Sequence, residues 1–241
     1  MTELEILKEF LSYPLNSVEE IMKRFATLPN AEWRKGKGEQ QQFVFVPENR
    51  KDAVTLVAHA DTVFDFAEHN YSEEDGIIKS TSMGCGLGAD DRAGCAILWL
   101  LKESGHHLLI TDGEEHGQIG ANWLIDFNTD IAEIIHNSSF MIQFDRQNGN
   151  DYKFYNIPVS DEFEEYIKQE TGYINAGKRS RTDIVTLCDN NDSCCGVNLS
   201  IGYYDEHSDH ETLNIEEWIN TLKITKKMIE KHLKRFPRGE E

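Results

Sequence analysis

A chain of 241 residues with 39% hydrophobic content can bury the core of one large α/β domain or two small ones. Its formal charge of −19, from 43 acidic and 24 basic residues, excludes the basic face that nucleic-acid phosphates require. No stretch approaches the ~20 apolar residues of a membrane span, and Met1-Thr2-Glu3-Leu4-Glu5 has neither the basic nor the apolar region of a secretory signal. The expectation is a soluble, cytoplasmic protein with no nucleic-acid or membrane partner. Cys85, Cys95, Cys188, Cys194 and Cys195 are odd in number, show no Cys-x-x-Cys spacing and read as free thiols.

Leu4 to Leu28 reads as two helices broken at Pro14-Leu15-Asn16, the second restarted by Ser17 with Glu20 in a capping-box pattern. Lys35 to Gly38 marks a loop. Gln42 to Val46 and Ala53 to Ala58 are expected strands, the second so apolar that burial on both faces follows, and His59 comes directly after it. Gly76 to Lys79 is a further short strand before the glycine-rich turn Gly84 to Gly88. In the helix predicted from Asp91 to Glu103, Ala93, Ala96, Ile97, Leu100 and Leu101 fall at helical spacing and face the sheet. His107 to Thr111 is a strand ending at Asp112-Gly113-Glu114-Glu115, Gly120 to Phe127 is helical, and Phe140 to Phe144 is a strand ending at Asp145.

Tyr152 to Ile157 reads as a strand, Glu162 to Gln169 and Asp183 to Cys188 as helices, and Val197 to Tyr204 as a strand. Ile215 to Phe236 is the closing helix. Its Lys223, Lys226, Lys227, Lys231, Lys234 and Arg235 read as a solvated face that offsets acidic neighbours. Alternating strands and helices predict a three-layer α/β/α sandwich around a mostly parallel, mixed sheet, with the functional site beyond the carboxyl ends of the strands.

Five polar clusters close or follow apolar runs: His59-Ala60-Asp61, Asp90-Asp91, Glu114-Glu115, Asp145 and His207. Taken singly, a histidine at a strand end is usually a packed core residue and a Glu-Glu pair a surface one. In this order they read as a divalent-metal site, with His59, Asp90, Glu115, Asp145 and His207 as candidate ligands. Asp90 is the natural bridge between two ions, which would let a shared hydroxide attack a substrate. Asp61, two residues after His59, can accept from the other imidazole nitrogen and fix its tautomer. Adjacent Glu114 and Glu115 diverge, so one can ligate while its neighbour takes a proton from water. His210 competes with His207 as the last ligand, and Tyr203 or Tyr204 could line a substrate pocket.

Leu56 to Val63, Gly88 to Gly94 and Thr111 to Glu115 closely resemble the co-catalytic zinc exopeptidases of the peptidase T, aminoacylase and carboxypeptidase G group. Asp145 resembles that family's next carboxylate ligand, and His207-Ser208-Asp209-His210-Glu211 its final His-x-x-x-Glu motif. The resemblance implies the zinc-exopeptidase fold, one zinc on His59, Asp90 and Asp145, and a second on Asp90, Glu115 and His207. It further implies Glu114 as general base, a cis Asp90–Asp91 peptide, and Thr182-Asp183 opening a helix at the substrate pocket. The same N and O ligands would also accept Co2+ or Mn2+.

The chain departs from those relatives in one large respect. They carry a lid or dimerisation domain between the equivalents of Asp145 and His207, which would need roughly a hundred extra residues. That interval here reads as continuing sheet and helix, so residues 1–241 are expected to form a single catalytic domain without a lid. The lid's substrate-carboxylate contact would then fall to Arg146, Arg179 or Arg181, and His116 stands where the family has a small or apolar residue. The expected activity is hydrolysis of short peptides, with aminopeptidase as first choice. An N-acyl amino acid amidohydrolase and a metal-binding module without turnover are the alternatives, and oligomeric state is not readable.

Overall fold

The computed structural model describes residues 1–177, 180–189 and 193–239. An eight-stranded sheet runs through the molecule in the order β1-β2-β6-β3-β7-β10-β8-β9. Its strands are β1 Glu32–Lys35, β2 Gln42–Val46, β3 Thr55–His59, β6 His107–Thr111, β7 Met141–Gln143, β8 Asp151–Lys153, β9 Ile174–Asn175 and β10 Gly196–Leu199. The central four, β6, β3, β7 and β10, are mutually parallel. β1 and β2 run antiparallel on one side, and β8 runs antiparallel to β10 on the other.

Side-chain alternation along these strands builds two apolar layers. Val44, Val46, Leu56, Ala58, Leu108 and Ile110 face one cluster, while Phe43, Phe45, Val57 and Leu109 face the other. The first is covered by helices α1 Glu3–Leu11, α2 Glu19–Ala26, α3 Ala89–Leu100, α6 Asp161–Thr171 and α8 Ile215–Ile229. The second is covered by α4 Ile119–Phe127, α5 Thr129–His136 and α7 Asp183–Leu187. The architecture is therefore the expected sandwich, with a mixed sheet whose parallel strands are central. β3 is buried along its whole length, as its apolar run predicts.

Local differences from the sequence reading have identifiable causes. At the start of α2 the Ser17 hydroxyl accepts from Glu19 N at 3.3 Å, while Val18, next to the helix, makes no side-chain bond. The capping box belongs to α1, where Thr2 and Glu5 satisfy each other's backbone N–H. The strand expected from Val197 to Tyr204 is two strands in different sheets, because Gly202 turns the chain at φ +90°, where a Cβ would lie 2.8 Å from the Asn214 carbonyl oxygen. Beyond that turn, β11 Tyr203–Tyr204 joins β12 Thr212–Asn214, β5 Ile77–Ser80 and β4 Tyr71–Glu74 in a four-stranded antiparallel sheet.

The closing helix ends at Ile229, short of Phe236. Arg50 Nη1 donates to the Ile229 carbonyl at 3.0 Å, and Asp52 Oδ2 accepts from Leu233 N at 2.8 Å, so side chains take over the helix terminus. Basic residues of the helix and of the segment after it offset acids on neighbouring elements: Lys226 pairs with Glu3, Lys231 with Glu170 and Lys234 with Glu162. β1, β4, β12 and α5 carry too little periodicity to stand out, being three to eight residues long.

Helix α3 is buried from Ala89 through Leu98, and Trp218 of α8 is bonded to its Ala93 carbonyl at 3.0 Å. It approaches the sheet edge through Gly94, where a Cβ would lie 2.1 Å from Asp91 Oδ1 and 2.4 Å from the Phe144 carbonyl. Gly94→Ala is therefore expected to destabilise the protein by about 1–3 kcal/mol through overpacking, read as a lower denaturant midpoint. An unchanged midpoint would show that the helix has room to retreat.

Candidate metal centre

Three parallel neighbours end at the same edge of the sheet. β3 delivers His59 there, the turn after β6 delivers Glu114 and Glu115, and the turn after β7 delivers Asp145. Asp90 comes from the N-terminal end of α3, joined to Asp91 by a cis peptide, and His207 from the turn between β11 and β12. All of the residues singled out as ligands thus meet in one place.

His59 Nε2 lies 3.1 Å from Asp90 Oδ1 and 3.6 Å from Asp145 Oδ1. His207 Nε2 lies 3.2 Å from Asp90 Oδ2 and 2.9 Å from Glu115 Oε1. Asp90 therefore turns one oxygen to each histidine. The sets His59, Asp90, Asp145 and Asp90, Glu115, His207 each bring their donor atoms within 4.8 Å of one another, as does His59 with Glu114 and Glu115. Donors around a tetrahedral ion with bonds near 2.0–2.1 Å stand ~3.3 Å apart, so the spacing fits divalent ions. His210 is not part of this group: its side chain is 85% exposed and its neighbour is Asp209.

The supporting bonds are only partly those foreseen. His59 Nδ1 faces Asp61, but the nearer acceptor is the Asp61 backbone carbonyl at 3.2 Å, with the carboxylate at 3.4 Å. The Asp61 carboxylate instead accepts from the backbone N–H groups of Glu114 and Glu115, both at 3.2 Å, and so fixes the turn that carries them. Asp91 faces backwards, accepting from the N–H groups of His59 at 3.1 Å and Gly94 at 3.0 Å.

Asp145 is held by four residues that sequence reasoning did not assign to it. Gln143 Nε2 at 2.8 Å and the Thr182 hydroxyl donate to Oδ2, Tyr203 donates to Oδ1 at 3.2 Å, and Asn198 Oδ1 accepts from the Asp145 N–H at 3.0 Å. Tyr203 is thereby buried as a hydrogen-bond donor and does not line an apolar pocket. The one readable signal was Gln143, two residues before Asp145 on the same face of a strand end. Thr182 precedes helix α7, as the family pattern implies.

The arginines offered as substrate contacts fare differently. Arg146 is half-buried and bound by both oxygens of Asp151, at 2.6 and 3.0 Å, which makes it part of the scaffold. Arg181 pairs with Asp189 at the surface, and Arg179 lies outside the described residues. His116 is exposed, with Nδ1 3.1 Å from Gln40 Nε2 and 4.0 Å from Asp61 Oδ2. Glu211 turns away from the cluster and binds backbone N–H groups of the turn that opens α3. A cavity of about 690 Å3 reaches Asp61 but is lined by none of the candidate ligands, with Glu19, Glu39, Asp65, Asp112 and His116 on its walls.

Electrostatics identify what this cluster lacks. Burial and the charges of Asp145, Asp183 and Glu115 push Glu114 up to about 9, and burial with Asp90 raises Asp145. Burial opposes the charge on His59, yet Asp145, Asp61 and Asp90 hold its pKa well above the ordinary imidazole value. Bonds to Asp90 and Glu115 carry His207 to about 11. Burial disfavours the Asp90 anion, but His207 and His59 hold its pKa down. Among the described residues none of Asp61, Asp90, Glu114, Glu115 and Asp145 pairs with Lys or Arg. Among the described residues the imidazoles are the only cationic groups in contact with these carboxylates, with the buried Arg92 acting on Asp61 from further away, and this is the charge deficit that bound divalent ions would fill.

Glu114, raised from 4.5 to about 9, contributes stability that is complete below its unfolded pKa and lost as pH rises through the folded one. The raised histidines act in the same direction, whereas Asp90 matters only on the acid side. Chelator-treated protein is thus expected to lose thermal stability steadily between pH 5 and 9, and divalent cations to restore it. A chelated protein with a flat profile across that window would contradict the charge deficit.

No protein-family model matches the chain, and no curated protein does. Solved structures do match. Aminopeptidase PepT from Bacillus cereus is 15% identical, with a TM-score of 0.72 over 95% of this chain and 98% of its own. A tripeptidase from Staphylococcus aureus is 13% identical, with a TM-score of 0.68 over 95% and 98%. An aminopeptidase from the archaeon Desulfurococcus kamchatkensis is 12% identical, with a TM-score of 0.61 over 96% of each chain. The chain has the fold seen in these peptidase structures.

Proposed function

We propose that the protein is a metal-dependent exopeptidase, an aminopeptidase for short peptides, and that residues 1–241 act as a single catalytic unit without a lid. The observation that carries this reading is the pair of donor sets sharing Asp90, one oxygen to each side. The likeness in fold to aminopeptidase and tripeptidase structures supports it. The interval between Asp145 and His207 supports the single unit, because it supplies β8, β9 and β10 to the main sheet.

His59, Asp90 and Asp145 would hold one ion and Asp90, Glu115 and His207 the other, with zinc the best fit to this mixture of imidazole and carboxylate. Bound there, such ions supply Lewis acidity toward the scissile carbonyl and lower the pKa of a water. Glu114 shares the same space, its carboxylate within 4.8 Å of His59 and Glu115 donors. With bound ions offsetting the burial and carboxylate charges that otherwise keep it protonated, it would act as general base, receiving a proton from the attacking water and delivering it to the departing amine nitrogen. Asp61 keeps His59 oriented and holds the Glu114–Glu115 turn in register with it.

Charge favours an amine over a carboxylate as the substrate's recognised end. The cavity that reaches Asp61 carries Glu19, Glu39, Asp65 and Asp112, and among the described residues no Lys or Arg lines it. An N-acyl amino acid would need a cation for its carboxylate, and Arg146 is already committed to Asp151.

Glu114→Gln is expected to keep its metal and lose roughly 10²- to 10⁴-fold in turnover, measured on aminoacyl amides after metal loading. Retained metal with unchanged turnover would remove Glu114 from the base role. In a panel of aminoacyl, N-acetyl and carboxypeptidase substrates the wild-type protein should hydrolyse the first class. Turnover confined to N-acetyl amino acids would point to the amidohydrolase, and no turnover with metal bound to a binding module.

A further inference from the structure

We infer that Glu211 is a positioning residue that locks the His207 turn to the Asp90 turn, so that these two ligands are presented to the metal centre as one body. The inference rests on the metal-centre reading above and assigns Glu211 a role distinct from ligation. The side chain is 1% exposed, and both of its oxygens are spent on backbone groups from a segment more than a hundred residues earlier. Oε2 accepts from Leu87 N at 2.8 Å and Gly88 N at 2.6 Å, and Oε1 accepts from Asp90 N at 3.0 Å.

Those donors need an acceptor. The backbone is not helical at Asp90 and Asp91 (ψ 104° and 37°), so the Leu87, Gly88 and Asp90 N–H groups lie ahead of the regular part of α3 and would otherwise be buried unpaired. Glu211 supplies the acceptor from across the fold. The connection is also sterically close. A Cβ at Gly86 would lie 2.7 Å from the Ser208 carbonyl, so the two turns touch backbone to backbone. On the other side of this contact His207 Nε2 reaches Asp90 Oδ2 at 3.2 Å. The two turns are therefore joined twice, once through a ligand pair and once through Glu211. His207 itself is half-exposed, so its own packing gives it little to hold its place.

A glutamine at 211 keeps one acceptor oxygen and turns an NH2 group toward a backbone donor, which opens one side of the clamp with little change in volume. The test is titration of the chelated full-length protein with Co2+, followed by absorption, and with Zn2+, followed by calorimetry. Wild type is expected to take two ions. Glu211→Gln should bind one of them about 10- to 100-fold more weakly, the same ion that is lost in His207→Ala. Asp52→Asn, which weakens a distant side-chain clamp on Leu233 N, serves as the control for general destabilisation and should titrate like wild type.

Two ions bound by Glu211→Gln with wild-type affinity would overturn the inference, whatever its melting temperature. Wild type that binds no ion would overturn the metal-centre reading itself. If Glu211→Gln does not fold, amide exchange in wild type decides. Zinc should raise protection of the Leu87–Asp90 and His207–Glu211 turns together, and protection of one turn without the other would overturn the clamp.

Discussion

Asp61, Asp90, Glu114, Glu115 and Asp145 converge on a space with little access to water, where like charges 4 to 5 Å apart repel by on the order of 3–4 kcal/mol per pair at an effective dielectric near 20. A fold does not assemble such a group without a reason, because each carboxylate would be cheaper at the surface. Two imidazoles and a set of backbone N–H groups offset part of the repulsion. Protonation of the weakest acids offsets more, which is why Glu114 and Asp145 are displaced upward while Asp90, between two histidines, is displaced downward. The remaining deficit of positive charge is the feature on which the functional reading depends.

The scaffold around this group is arranged to hold acids in place rather than to neutralise them. Parallel strands bring three turns to one edge, and each turn is pinned by a polar side chain from another part of the chain. Asp61 binds the amides of the Glu114 turn, Asp91 binds the amide of His59, and Asn198 binds the amide of Asp145. Behind them α3 is buried on every side, with Trp218 bonded to its backbone. Movement of one ligand therefore requires movement of the sheet edge, and this rigidity lets a polyanionic site persist without collapsing into local ion pairs.

Much of this was legible in the sequence because the signals were local. An apolar run followed by His59, or by Asp145, states both the strand and what it carries, and the helical spacing of Ala93, Ala96 and Ile97 states the face that packs. The ligand set could be read for the same reason. Contacts made across the chain were not legible. Thr182, Asn198 and Tyr203 meet Asp145 only after the strands have been ordered, and nothing near residue 211 announces a partner at residues 87 to 90. Ser17 is an intermediate case, since its hydroxyl takes the Glu19 N–H at the start of α2 while the complete capping box forms at Thr2 and Glu5. The split of Val197 to Tyr204 turned on one glycine whose positive φ is invisible in an otherwise strand-like run.

The two histidines of the centre differ in one respect with a kinetic consequence. The His59 side chain is 1% exposed and that of His207 is 49% exposed, although both face Asp90. An ion bound on the His59 side would leave only through a closed wall of protein, whereas one on the His207 side would face the solvent. Residence times at the two positions would then diverge even if equilibrium affinities were equal. Depletion would proceed through a half-loaded species with the inner ion retained, and reloading would proceed from the outside. The centre would behave as one permanent ion and one exchangeable ion, an asymmetry built in by how deeply each imidazole is set.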